Sequence, residues 1–309
     1  MSKKKVSKPE DYIRPLFIDG MHGRVLRMPP PAGKTREILF VYGHHSTLER
    51  WWGVMQDLNQ YGAVTMPDLP GFGGMDSFYK NGSEPTIDNL ADYLASFIKL
   101  FYKRRRLTIA GLSFGFVVVT RMLQRYPELA KKVDLLVSVV GFAHKDDFVF
   151  TKPRYYGYLG LSKAINGKYR AKVFRAVFLN RFVLKMAYAK TRNAKQKFID
   201  KSADEFAETM QNEIKLWHVN DVRTRVFTVI QFLQLNNCTQ QVDLPVWHVS
   251  VKADRYFDNH MVEQHMRVIF SDFHDVPSKM KTHAPSIIAN KKSAAALLPN
   301  KIRQLLSES

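Results

Sequence analysis

The chain has 309 residues, 45% of them hydrophobic and 12% aromatic, and its 47 Lys and Arg outnumber 28 Asp and Glu to give a net charge of +19. That length suits one domain carrying an insertion better than two independent domains, and a single cysteine, Cys238, excludes an intramolecular disulfide. No window approaches the ~18 uninterrupted apolar residues of a membrane span. The basic start (Lys3, Lys4, Lys5, Lys8) runs into Asp11 and Arg14 instead of the apolar core of a secretory signal. The expectation is a cytoplasmic protein whose cysteine is a small apolar side chain in a helix. The positive charge invites anionic partners, whether nucleic acid, acidic lipid or substrate, and does not choose among them. A general lysine bias would account for it equally well.

In chain order, the first compact run is Glu37-Ile38-Leu39-Phe40-Val41-Tyr42, closed by Gly43. Apolar runs of this length ending at glycine read as buried strands of a parallel sheet. A helix is expected over 48–61 and a second strand over 63–66, which ends in Pro67-Asp68-Leu69-Pro70-Gly71-Phe72-Gly73-Gly74. Residues 86–102 read as a helix with Thr86 and Asp88 as cap candidates and an apolar stripe at Leu90, Leu94, Phe97, Ile98 and Phe101. Leu107-Thr108-Ile109-Ala110 is a strand, a buried helix begins near Phe116, and 134–142 is another strand. Such strand–helix alternation predicts a doubly wound, mostly parallel α/β sheet. It stops over 144–221, which is helical and aromatic-rich, and resumes with a helix at 222–235, a strand at 245–251, a helix at 262–270 and a last helix near 293–306. The expected organisation is a core of 1–143 and 222–309, interrupted by a helical cap at 144–221.

Between the strand at 107–110 and the helix after it lies Gly111-Leu112-Ser113-Phe114-Gly115, a G-x-S-x-G. A serine on a strained strand-to-helix turn holds its hydroxyl clear of both elements, and small residues two positions to either side let the backbones pass. The helix that starts there points its positive end at the site and favours an oxyanion. The string 38–43, the Pro67–Gly73 segment and the serine turn together resemble, in order and spacing, the strand 3, strand 4 and strand 5 regions of the α/β-hydrolases. The resemblance covers roughly residues 15–143 and 222–306. It implies an α/β-hydrolase fold and Ser113 as the nucleophile.

The resemblance carries further assignments. The family has His-Gly after strand 3, and the match here is Tyr42-Gly43-His44, which makes the backbone N–H groups of His44 and Phe114 the oxyanion donors. Tyr42 departs from the family's histidine. His44-His45 is not expected to hold a metal, because adjacent side chains point apart and no ligand cluster surrounds them. The segment Val246–Asp254 resembles the strand that ends in the triad acid, with Val251-Lys252-Ala253-Asp254 where the family often has Gly-x-x-Asp. Asp254 is the expected acid, with Asp258 and Asp146 as rivals. His283, 29 residues after Asp254, is the expected base and His274 the rival; the order Ser, Asp, His is that of the fold. The implied chemistry is acyl transfer through an acyl-enzyme, without a cofactor, on a small-molecule acyl substrate. A serine nucleophile argues against dehalogenase and epoxide hydrolase relatives, which use aspartate.

From 148 to 199 the chain has 13 Lys and Arg and no Asp or Glu. Phe174, Phe178 and Phe182 recur every four residues near Val177 and Met186, while Lys168, Lys172 and Arg175 fall on another face. A basic, aromatic amphipathic stretch suits either a cap with a solvated basic rim or peripheral contact with anionic lipid at the inner membrane surface. Nucleic acid is disfavoured, since no recognised module accompanies the charge.

Overall fold

The computed structural model describes residues 7–180, 182–184, 186, 203–252, 254–280, 283 and 294–308. Its strands are β1 (Ile13–Ile18), β2 (Met21–Met28), β3 (Arg36–Val41), β4 (Gly62–Pro67), β5 (Leu107–Leu112), β6 (Val133–Val139), β7 (Val242–Ser250) and β8 (Phe270–Pro277). Between and after them run α1 (Trp52–Leu58), α2 (Ile87–Phe101), α3 (Phe114–Arg125), α4 (Pro127–Ala130), α5 (Lys152–Ile165), α6 (Lys168–Phe178), α7 (Ala203–Val219), α8 (Val222–Leu233), α9 (Asn259–Ile269) and α10 (Asn300–Ser307).

The strands form one eight-stranded sheet in the order β1-β2-β4-β3-β5-β6-β7-β8. β1 with β2 and β2 with β4 pair antiparallel, and the other neighbours are parallel. This is the doubly wound, mostly parallel sheet that the alternation predicts. The central strands β4 and β5 are buried along their whole length, because helices cover both faces. α2 starts where its cap residue predicts: the Thr86 hydroxyl accepts the Asn89 N–H at 3.0 Å. Its buried face packs on α3, whose residues are buried almost throughout.

Three strands escape the sequence reading. β1 and β2 make an antiparallel edge, with Pro15 on the outermost strand, where a missing N–H costs no ladder bond. β8 is the opposite edge, and Ser271, Asp272, His274 and Asp275 break up its apolar signal. The last helix begins at Asn300, later than expected, because Pro299 cannot sit inside a helix but suits its start. Ser293, the expected start, lies outside the described residues. Cys238 is in a turn after α8 and is half-buried, contrary to the helical position expected. Burial and the Asp147 carboxylate push its thiol up to about 11.

A second apolar cluster stands apart from the main core. Ile165, Ala171, Leu179, Met210, Ile214 and Val222 bring α5, α6, α7 and α8 together. α8 packs on α5 and α6, so Val222 and Val226 belong to this cluster. At its far end, Phe232 packs against the main core, which Leu235 joins just beyond it.

Candidate active site

Ser113 joins β5 to α3 with φ 50° and ψ −120°, a strained left-handed conformation for a residue with a Cβ. The neighbouring glycines make this turn possible. A Cβ on Gly111 would lie 2.8 Å from Phe116 Cα, and one on Gly115 would lie 2.3 Å from the Val41 carbonyl oxygen and 2.4 Å from that of Tyr42. With hydrogen at both positions, α3 can start directly against the end of β3. Ser113 N–H is held by the Val139 carbonyl at 2.9 Å.

Two residues from distant loops meet the serine. His283 Nε2 lies 3.0 Å from Ser113 Oγ, and His283 Nδ1 lies 2.6 Å from Asp254 Oδ2. The other Asp254 oxygen accepts the backbone N–H groups of Tyr256 (2.8 Å) and Phe257 (3.3 Å). The Asp254 side chain is 2% exposed. Burial opposes its ionised form, but His283 and the two N–H groups outweigh burial and hold its pKa below the ordinary carboxylate value. A carboxylate fixed in this way leaves the ring nitrogen facing Ser113 as the proton acceptor. The aromatic rings of Tyr256 and Phe257 meet the His283 ring edge-on, each at 5.1 Å. Their position directly after Asp254 is the only sequence signal they carry.

The rivals lie elsewhere. Asp258 caps α9 by accepting from His260 and Met261 N–H. Asp146 is exposed and pairs with His144. His274 stacks on Trp247 and pairs with Asp272. The other carboxylate of that turn, Asp147, is fully buried. It accepts from the Ala143 and His144 N–H groups and lies 2.5 Å from His265 Nδ1. With its own carbonyl accepting Asp258 N–H, it ties the exit of β6 to the segment that carries Asp254.

The loop that the resemblance assigns to the oxyanion follows β3. Tyr42, where the resemblance would place a histidine, is fully buried. Its hydroxyl donates to Asp68 Oδ1 and accepts from Leu69 N–H, both at 2.9 Å. Arg24 Nε donates to the second Asp68 oxygen at 2.9 Å. The loops after β3 and β4 are thereby tied together from below. From above, His44 Nε2 reaches Thr228 Oγ1 of α8 at 2.8 Å. The Thr228 hydroxyl hydrogen goes to the Thr224 carbonyl at 2.9 Å, so its oxygen accepts from His44, and His44 carries its proton on Nε2. Burial, helped by the Arg225 charge, pushes the His44 pKa down to about 3. His45 turns away at φ 56° toward Asn220 and Trp217. Phe114 is the first residue of α3, and its N–H is therefore one of the helix's unpaired N-terminal donors. Among the described residues no cluster of three metal-ligating side chains occurs.

Aromatic rings run from the His283 side of the site to the His44 side. Phe257 stacks on Phe142 at 4.5 Å, and Phe142 meets Phe232 at 6.0 Å. Phe232 reaches His44 at 5.3 Å and Phe114 at 6.0 Å. Phe148 bridges Phe257 and Phe232 and continues to Phe150, which lies 5.4 Å from Tyr158 on α5. Neither Thr228 nor this ring wall carries a sequence signal, since their contacts span α8, residues 148–158 and the loops after β6 and β7. His248 lies beneath the site, 2.9 Å from Ser138 Oγ, and burial pushes it down to about 4.

No protein-family model and no curated protein matches the chain. Solved structures do. A membrane phospholipase A, a bacterial virulence factor, superposes with a TM-score of 0.67 at 13% identity, over 96% of this chain and 87% of the other. A bromoperoxidase from Bacillus anthracis gives 0.65 at 12%, over 94% and 96%. An esterase from Thermogutta terrifontis gives 0.59 at 13%, over 96% of both chains. Sheet order, serine turn and these superpositions agree, and the chain is built on the α/β-hydrolase fold.

Proposed function

We propose that the protein is a serine hydrolase that cleaves an ester, or a related acyl bond, on a small molecule with an apolar acyl part. The observation that carries this reading is the unbroken hydrogen-bonded line from Asp254 through His283 to Ser113, whose backbone is strained at that one turn. His283 takes the Ser113 proton as the hydroxyl attacks the acyl carbon, and the His44 and Phe114 N–H groups receive the negative charge that develops on its oxygen. The imidazolium then gives its proton to the leaving group. Water, deprotonated by the same ring, resolves the acyl-enzyme, and Asp254 holds the ring's tautomer throughout. Residues 144–221 act as a cap, and α8 closes the site from the same side. The wall of Phe114, Phe142, Phe148, Phe232 and Phe257 supports an apolar acyl pocket, since it offers rings and no charge to the substrate. No step calls for a cofactor. Esterases are among the structures that resemble the chain.

Acyltransfer and carbon–carbon bond hydrolysis use the same three groups, and a non-catalytic protein of this fold would bind lipid or a partner through the basic cap. A fluorophosphonate probe separates catalysis from its absence. The expected result is covalent labelling that disappears in Ser113→Ala; no labelling of the parent protein refutes the reading. A series of acyl esters of increasing chain length then tests the apolar pocket.

A further inference from the structure

Fourteen large hydrophobic side chains are exposed among the described residues, and ten of them lie between 149 and 186. This concentration has a pattern. On α6, Ala171 and the half-buried Phe174 face the cap's own apolar cluster. Tyr169, Val173 and Val177, at i, i+4 and i+8, form a second stripe on the opposite side, 76%, 61% and 51% exposed. By helical geometry Lys168 and Lys172 flank that stripe on one side and Arg170 on the other, and all three are exposed. Exposed Tyr156 and Leu161 on α5 and Phe182 just beyond α6 extend the apolar surface.

The charge on this surface is of one sign. From 148 to 199 no Asp or Glu occurs, and among the described residues no carboxylate pairs with Lys152, Lys163, Lys168, Arg170 or Lys172. A soluble surface leaves neither an apolar stripe nor an unneutralised row of cations without cost. An apolar stripe bordered by cations, with tyrosines among the exposed side chains, matches a helix lying in the plane of a lipid interface. Its apolar side chains enter the acyl boundary, and its cations sit among anionic headgroups.

We propose that the outer face of α5 and α6 docks on a bilayer containing anionic lipid. The docked face is continuous with the candidate site: Tyr158 on α5 leads through Phe150, Phe148 and Phe257 to the His283 ring in contacts of about 5 Å. Docking thus places the outer end of the aromatic wall at the lipid surface. Binding itself uses none of the triad, so it stands or fails apart from hydrolysis.

The test is co-sedimentation of the full-length Ser113→Ala protein with vesicles of phosphatidylcholine, alone or with 30% phosphatidylserine. Pelleting is expected with the anionic vesicles at low salt, with a large loss at 1 M salt, where screening acts within ~3 Å. Each cation withdrawn from the surface lowers partitioning about fivefold, so the double variant Lys168→Glu, Lys172→Glu is expected to bind at least about 25-fold more weakly. Val173→Asp, on the exposed stripe, is expected to bind weakly while keeping the parent's circular-dichroism melt. No pelleting with anionic vesicles at low salt overturns the proposal. So does equal binding to neutral vesicles, full binding by the double variant, a homodimer in light scattering that buries this face, or preference for a duplex RNA over anionic vesicles in competition.

Discussion

Thr228→Val tests whether α8 holds the loop that carries the proposed oxyanion donor His44. Valine keeps the shape of threonine and removes the oxygen that accepts from His44 Nε2 at 2.8 Å. The His44 ring is enclosed edge-on by Phe72, Phe114 and Phe232, and none of these rings replaces a carbonyl or hydroxyl acceptor. A buried donor left without its partner costs about 1–3 kcal/mol; because the His44 ring also hydrogen-bonds the Arg225 backbone, unfolding in urea should register a loss of about 1 kcal/mol, the low end of that range. The catalytic consequence is separate. Losing an oxyanion donor outright costs about 10²–10³ in kcat; here the donor, the His44 backbone N–H, remains but loses the anchor of its side chain. A loss of about tenfold in kcat with little change in KM is the expected outcome, measured on a short soluble ester. Thr228→Ser, which restores the acceptor, should recover most of it. A Thr228→Val protein that is destabilised yet retains full kcat refutes the idea that α8 positions the oxyanion loop. One that is neither destabilised nor slowed refutes the hydrogen bond itself.

Asp254→Asn should lower kcat by about 10⁴, because the amide favours the wrong imidazole tautomer; full activity in this variant with loss in Asp258→Asn or Asp146→Asn would move the acid. His283→Ala should abolish turnover and fluorophosphonate labelling while His274→Ala preserves both, and the reverse pattern in a rate assay would reassign the base. Gly115→Ala should destabilise the fold by about 3 kcal/mol in urea unfolding, since its Cβ would fall 2.3 Å from the Val41 carbonyl oxygen; a neutral substitution would mean that α3 does not start against β3. Acid should destabilise the protein in a defined window. His44 and His248 are buried neutral with pKa pushed down to about 3 and about 4, whereas in the unfolded chain histidine takes a proton near ~6.5. The unfolded state therefore binds more protons as pH falls below that value, and by pH 5 each group removes about 2 kcal/mol; a urea midpoint that is unchanged between pH 7 and pH 5 would contradict their burial as neutral rings.

The sequence is most legible where burial is complete. β3, β4 and β5 are short apolar runs because both faces are covered, and glycines mark their ends because the turns there allow no Cβ. The edge strands are less legible for the converse reason: β1, β2 and β8 carry polar or charged residues on an open side, and nothing in Phe270–Pro277 distinguishes an edge strand from a loop. Ser113, Asp254 and His283 are named by the resemblance to the α/β-hydrolases, and they lie in one hydrogen-bonded line. The partners that orient them cannot be named from spacing. Thr228 meets His44 across 184 positions, and Phe257, Phe142 and Phe232 converge from three segments. On α6 the periodicity is visible but ambiguous. Two apolar stripes exist, and only packing against Met210, Ile214 and Val226 decides which is covered.

Tyr42 stands where the resemblance to the α/β-hydrolases would place a histidine, and it makes its own set of contacts. A tyrosine hydroxyl both donates and accepts. Tyr42 uses the two capacities on Asp68 and on the Leu69 N–H, which fastens the loop after β3 to the loop after β4 at one atom. Arg24 Nε, on β2, holds the second Asp68 oxygen, and Arg24 Nη1 reaches Glu49 Oε1 at 2.6 Å. Gly73 sits on the same carboxylate, where a Cβ would collide with Asp68, and its N–H donates to Asn220 Oδ1 at 2.7 Å, just before α8. The loop after β3 is thus clamped between a buried polar network rooted in the N-terminal strands and the residues that open and line α8. The same helix packs Val222 and Val226 into the second apolar cluster, so one element touches both that cluster and, through Thr228, the His44 ring. Of the upper contacts, removing residues 144–221 would take away Asn220, which holds Gly73 N–H and reaches His45 Nδ1, and would leave Thr228 on His44.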